Sequence, residues 1–355
     1  MKHRILALLA VITILITSCN KDLEIISLTL EVSKTKILND SEDAVYVLVT
    51  DQEQRDVTNR VTLNFGGSVL DNLYVTGSDA GIFPLTANYG SIVSNSVQIT
   101  VVEDPGLKFN RNVLIEQFTN NACPWCPKSI ESIYNVKAVR DDIVHVAYHL
   151  DVDFFYSQNT ELFFYFGFEA TPSMAANREY IWDGYSSNLP LPDVGSRVGI
   201  SMDVSGSIDA ITADVTIEFG KIFASPVKLC LYLVEDGLIA DQQSAYNNDP
   251  GSVFYQMGEV LENFMHDNVM IASFTDIYGE LIPSSQIDIG SVYEKSFLMN
   301  PPETIEEGSP WITDIQNCKV VAVLTHGPEE LIAGAVNSLS CRMGQSSSNG
   351  LLAGK

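Results

Sequence analysis

Hydrophobic and polar positions alternate along the first third of the chain. Leu28-Thr29-Leu30-Glu31-Val32 alternates, and so does Val97-Gln98-Ile99-Thr100-Val101. Ala44-Val45-Tyr46-Val47-Leu48-Val49 is a continuous apolar run rich in β-branched residues. A period of two marks a strand with one buried face. Gly66-Gly67, Gly77-Ser78 and Asn88-Tyr89-Gly90-Ser91 supply turns between the runs. Short strands with regular turn signals predict an immunoglobulin-like β-sandwich over 27–104. Glu103-Asp104-Pro105-Gly106 reads as a linker.

The pattern then changes. Asn112 to Phe118 is a short apolar strand, and Pro127 to Val139 carries Ile130, Ile133, Val136 and Val139 at helical spacing. Ile143 to Tyr148 is a second strand, residues 153–168 are rich in Phe and Tyr, and Thr171-Pro172 precedes a third strand, Met174 to Asn177. Strand, helix, strand in this order predicts a βαβ unit and an α/β domain over 107–197. After Pro190-Leu191-Pro192 the strands return, from Gly199–Val204 through Ala333–Leu339, and predict a C-terminal β-sandwich over 198–341. Residues 342–355 read as a flexible tail. The expected fold class is therefore mixed: all-β at both ends and α/β in the middle.

The first residues change the picture from a soluble chain to an exported one. Lys2 and Arg4 precede an uncharged aliphatic run, Ile5 to Thr17, too short to span a bilayer comfortably. Ile16-Thr17-Ser18-Cys19 then resembles a bacterial lipobox. That resemblance implies a signal peptide over 1–18, lipidation of the Cys19 thiol, and a tether over 19–26. Several acyl chains on one residue anchor a protein stably, so the membrane partner is reached through lipid alone.

The chain has 355 residues and a net charge of −25, from 45 acidic and 20 basic residues. Such a surface repels phosphate backbones and argues against nucleic acid as a partner. Six cysteines are present. Setting Cys19 aside leaves Cys123, Cys126, Cys230, Cys318 and Cys341, an odd number in a compartment where disulfides form. The pairing of the last three stays open.

Cys123-Pro124-Trp125-Cys126 falls between the strand and the helix. A thiol at the start of a helix lies beside free backbone N–H groups, which stabilise its thiolate. Cys126, one turn in, can resolve a mixed disulfide. Pro124 lacks an N–H, which costs nothing in a first helical turn. Trp125 offers an apolar face to a substrate. Zinc would require a second ligand pair, and no other C-x-x-C is present. No metal or cofactor is expected beyond the redox-active disulfide itself.

These residues resemble thioredoxin-like proteins, and more narrowly the 28-kDa outer membrane protein family of Bacteroidetes. The likeness rests on Val113 to Thr119, the Cys motif, Ala170-Thr171-Pro172 through Asn177-Arg178, Met265 to Met270 with Tyr278-Gly279-Glu280, and Cys318 to Asn337. It covers about 107–341. The resemblance implies a cis-proline at Pro172 that faces the cysteines and, with Thr171, holds a substrate backbone. It also implies an outer-membrane lipoprotein. Asn20-Lys21-Asp22-Leu23-Glu24 is similar to signals that send such lipoproteins to the cell surface. Separately, Val47 to Asp51 and Gly81 to Ala87 resemble Ig-like repeats of bacterial surface proteins. Two departures stand out: Ala122 replaces a Trp before the motif, and Gln117 replaces the buried acid that assists the second thiol.

Two functions follow as expectations. In one, Cys123 and Cys126 exchange disulfides with protein or peptide thiols, with Thr171 and Pro172 beside them. In the other, the chain is a surface adhesin or binding module and Cys123–Cys126 is a structural disulfide. Weaker candidates are a cation or tuning role for His145, His149, Asp151 and Asp153, and an internal carboxylate partner for Arg178.

Overall fold

The computed structural model describes residues 24–150, 152–184, 189, 195–301, 312–327 and 334–352. The lipobox, Cys19, Asp151 and Pro190-Leu191-Pro192 lie outside the described residues. The described chain divides into two compact units.

Of the described residues, the first unit comprises 24–32, Tyr46–Val75 and Ile82–Ile99. Its alternating stretches form strands. Leu28–Val32 pairs antiparallel with Val45–Asp51, Leu30 opposite Val49. Thr62–Phe65 pairs antiparallel with both Ser68–Leu70 and Gly81–Tyr89. Leu30, Val49, Leu63, Leu85 and Ala87 are buried while Glu31, Leu48 and Thr62 stand outward, as a half-buried strand requires.

The second unit, Ser33–Val45, Thr76–Gly81 and Thr100–Lys355, is built around one nine-stranded sheet. Its strands are labelled along the chain: β1 (Val113–Thr119), β2 (Ile143–His149), β3 (Ser173–Ala176), β4 (Tyr180–Ile181), β5 (Val227–Glu235), β6 (Val269–Ser273), β7 (Glu280–Leu281), β8 (Cys318–His326) and β9 (Gly334–Arg342). The order is β4-β3-β1-β2-β6-β5-β8-β9, with β7 beside β5. Helix α1 (Cys126–Lys137) connects the parallel pair β1 and β2, and α2 (Ser157–Tyr165) follows β2.

This order corrects the expectation of a central thioredoxin-like α/β domain followed by a separate sandwich. Strand β2 does not end the sheet: Ala147 pairs in parallel with Val269 of β6, and β5, β8 and β9 continue beyond it. The unit is dominated by strands, with two α-helices among the described residues. The physical reason lies in β5. Leu229, Leu231 and Leu233 enter one core, and Cys230, Tyr232 and Val234 enter another. A strand buried on both faces belongs in the middle of a large sheet.

The first of those cores is closed by a four-stranded sheet of Val292–Met299, Ala210–Phe219, Val198–Ser207 and Gln345–Ser348. The second joins Leu114 and Phe118 of β1 to Tyr148, Tyr232 and the aromatic run Phe163, Phe166 and Phe168. Phe118 stacks on Tyr148 with ring centroids 4.7 Å apart. The aromatic stretch is thus a packed lid on the sheet. Helix α1 covers the opposite face of β1, with Ile133 and Val136 against Val113 and Ile115.

Candidate functional site

Strand β1 ends at Thr119, and the chain turns through Asn120, Asn121 and Ala122 into Cys123. The Cys123 N–H donates to Asn120 O at 3.1 Å, and the Cys126 N–H donates to Cys123 O at 3.2 Å. Helix α1 begins at Cys126, not Cys123, with Pro127 in its first turn. Pro124 and Trp125 therefore form a turn ahead of the helix, outside the position expected for them. The amide-free Pro127 fits the helix start, where an N–H would lack an intrahelical partner.

Cys123 and Cys126 are joined in a disulfide with Cα atoms 5.4 Å apart. Cys123 is 8% exposed and Cys126 fully buried, while Trp125 is 59% exposed. The Thr171–Pro172 peptide is cis, and Cys123 Sγ lies 3.5 Å from Thr171 O. Thr171 and Pro172 are half-buried, so this carbonyl and the outer sulfur share one partly open surface.

Beneath the turn, Gln117 is buried and donates from Nε2 to Ser129 Oγ at 2.7 Å. Ser129 Oγ in turn donates to Cys126 O at 2.7 Å. Gln117 Oε1 lies 3.1 Å from His145 Nε2, which makes Nε2 the protonated ring nitrogen. Burial pushes the His145 pKa well below its ordinary value, reinforced by the charges of Lys137, Lys319 and His149. Gln117 offers an amide where a carboxylate would take a proton. Glu116 points to the other face, as strand alternation requires, and pairs with Arg178.

The structure adds a residue that sequence reasoning missed. Gln242 lies in a strand, Leu238–Gln243, that pairs antiparallel with Val260–His266. Alternation along this strand puts Leu238, Ala240 and Gln242 on one face, and Gln242 is completely buried. Its Nε2 lies 3.3 Å from Asn120 O, 3.0 Å from Asn121 O and 3.0 Å from Cys123 O. The segment that follows runs on along the Cys turn. The Gln243 N–H donates to Asn121 O at 2.9 Å and the Ala245 N–H to Pro124 O at 2.8 Å. The Tyr246 ring stands edge-on to Trp125 with centroids 6.1 Å apart. Glu131 of α1 accepts from Ser252 Oγ and the Val253 N–H. No local signal marks Gln242, because the turn it holds is more than a hundred residues away in sequence.

Cys230, Cys318 and Cys341 are free and buried, and burial raises the pKa of each thiol. Buried, protonated thiols of this kind behave as small core hydrophobes. Asp153 accepts from Asn121 Nδ2 at 3.0 Å, which assigns it to the turn. Among the described residues no cluster of three His, Cys, Asp or Glu side chains is arranged to hold a metal ion.

The model of the family described as "Outer membrane protein Omp28" matches residues 159–344, just over half of the chain. The chain belongs to the Omp28 family. Membership makes it an outer-membrane protein. No helix among the described residues is long and apolar enough to cross a membrane. The matched region contains Thr171, Pro172 and Gln242 but begins after the Cys pair.

Two structures from Porphyromonas gingivalis are among the solved structures similar to this chain. HBP35 of Porphyromonas gingivalis has 16% identity and a TM-score of 0.49, covering 66% of this chain and 76% of its own. A domain of the outer membrane lipoprotein Omp28 from Porphyromonas gingivalis has 10% identity and a TM-score of 0.25, covering 42% of this chain and 88% of its own. At these scores neither likeness bears on function. No curated protein matches the chain.

Proposed function

We propose that this Omp28-family lipoprotein carries out thiol–disulfide exchange through Cys123 and Cys126 at the outer membrane, with polypeptide thiols as partners. The supporting observation is the asymmetry of the pair. Cys123 keeps a small exposure, 8%, beside the Thr171 carbonyl, and Cys126 is sealed at the first residue of α1.

The asymmetry assigns the roles. An incoming thiolate attacks Cys123 Sγ, the Cys123–Cys126 bond breaks, and its electron pair leaves on Cys126 Sγ. The N-terminal N–H groups of α1 stabilise that thiolate until it takes a proton. A second partner thiol then attacks the partner sulfur of the mixed disulfide and releases Cys123. Two electrons and two protons pass from partner to pair, which leaves the partner oxidised; the reverse sequence reduces a partner disulfide and restores the Cys123–Cys126 bond. Trp125 and Pro124 form the exposed rim against which a polypeptide rests. The absence of a carboxylate at Gln117 slows proton delivery to Cys126.

Cys126→Ser in the full chain tests the reading. It is expected to leave Cys123 free to capture a partner as a mixed disulfide that dithiothreitol releases, while Cys123→Ser captures nothing. A wild-type pair that does not equilibrate with glutathione would overturn it. The near-complete burial of both sulfurs favours a second reading, a permanent staple in a binding module that meets a glycan, host protein or neighbouring lipoprotein at the cell surface. An inert bond in the same titration is the outcome that reading expects.

A further inference from the structure

Three carbonyl groups of the Cys turn converge on a single side chain from a distant strand. Asn120 O, Asn121 O and Cys123 O all lie within 3.3 Å of Gln242 Nε2. Gln243 O lies 3.0 Å from the same nitrogen. Converging carbonyl dipoles repel one another unless a donor stands between them. The amide NH2 brings two hydrogens and no negative end, so this orientation alone fits, since the flipped amide would set Oε1 against four oxygens. Gln243 and Ala245 extend the contact through their backbone N–H groups to Asn121 O and Pro124 O.

We propose that Gln242 is the positioning residue of the Cys123–Cys126 pair, and that through it the oxidation state of the pair is linked to the order of the segment that follows, Gln243 to Tyr246. The proposal rests on thiol exchange at the pair. Its physical content is a shared backbone. Holding the carbonyls on both sides of Cys123 keeps the turn in the conformation that closes the disulfide, which raises the effective concentration of one sulfur at the other. Linkage is reciprocal. If the clamp favours the closed pair, closing the pair favours the clamp, and reduction loosens the segment that bears Tyr246 beside Trp125.

The test has two arms, both on the full chain. Gln242→Met removes the donor while keeping the length of the side chain. Its exchange constant with glutathione is expected to shift tenfold or more toward the dithiol. A constant within twofold of wild type, whatever the melting temperature does, makes Gln242 merely structural and overturns the proposal. The second arm needs no variant. Hydrogen exchange at the Gln243 and Ala245 amides of the wild-type chain is expected to quicken at least tenfold on reduction, and unchanged protection overturns the linkage. A wild-type pair that exchanges normally while both arms fail leaves the proposed function standing. A pair that does not exchange at all removes that function and the linkage together.

Discussion

Arg178 meets Glu116 inside the nine-stranded sheet, with Nη2 2.7 Å from Oε1 and Nε 3.1 Å from Oε2, both side chains sealed from solvent. Tyr148 Oη donates to the same Oε1 at 2.8 Å, and Arg178 Nη2 donates to Tyr232 Oη at 2.9 Å. The network reaches from β1 through β2 to β5. Removing one partner leaves a buried charge with nothing opposite, which costs about 3–5 kcal/mol. Arg178→Met is therefore expected to lower the denaturant midpoint steeply, and Glu116→Gln to do the same. A loss below roughly 1 kcal/mol, the size of an exposed pair, would contradict the role given to burial here.

Acid is expected to destabilise the protein before its carboxylates titrate. His145 is held neutral in the fold, well below the ordinary histidine pKa, because burial excludes its charge. His326 is shifted the same way by burial and by Lys221 and Arg111. The unfolded chain takes up these protons near pH 6.5, and the folded chain does not. Stability is thus full above about pH 6.5 and falls as the pH drops below it, by up to about 1.4 kcal/mol per pH unit for each histidine. Urea midpoints between pH 7.5 and 5 measure this slope. His145→Gln should flatten it.

Lys137, in the last turn of α1, has its pKa pushed down to about 8 by burial and by the charge of Lys319, against the pull of Asp236 and Asp267. A neutral amine is a nucleophile. Mass-spectrometric footprinting with an acylating reagent should show the Lys137 rate rising to half its maximum near pH 8. The rates of exposed lysines should keep climbing toward pH 10. A Lys137 profile that tracks the exposed lysines would refute the shift.

Asn337 of β9 is buried and fully used. Its Nδ2 donates to Asn110 O at 3.0 Å and Val198 O at 2.9 Å, and its Oδ1 accepts from the Asn112 N–H at 3.1 Å. It pins the entry into β1 to the far edge of the sheet. Asn337→Leu keeps the bulk and leaves these backbone groups unmet, at about 1–3 kcal/mol for each that water does not reach. Thermal unfolding should show a loss of at least about 2 kcal/mol. A near-neutral result would mean that solvent enters the joint.

The sequence made the strands plain where one face is polar, as in Leu28–Val32, because alternation is a local signal. It also made plain the strand–helix–strand run around the cysteines, whereas the approach of Thr171–Pro172 to Cys123 was implied by the family resemblance alone. It misled over the middle of the chain. β5 reads as an apolar run in either a sandwich or a central sheet strand, and only its neighbours decide between them. Gln242 was illegible for a related reason. A polar residue in a strand reads as solvent-facing, and the backbone carbonyls that let this one be buried belong to a distant turn.

Because β2 lies between β1 and β6, a cut near residue 197 severs a sheet rather than a linker. The piece ending there would carry β2 as a bare edge whose side chains are built for burial on both faces, an invitation to stick to other chains. Synthesis imposes the same difficulty in time, since the cysteines leave the ribosome far ahead of the strands that complete their sheet.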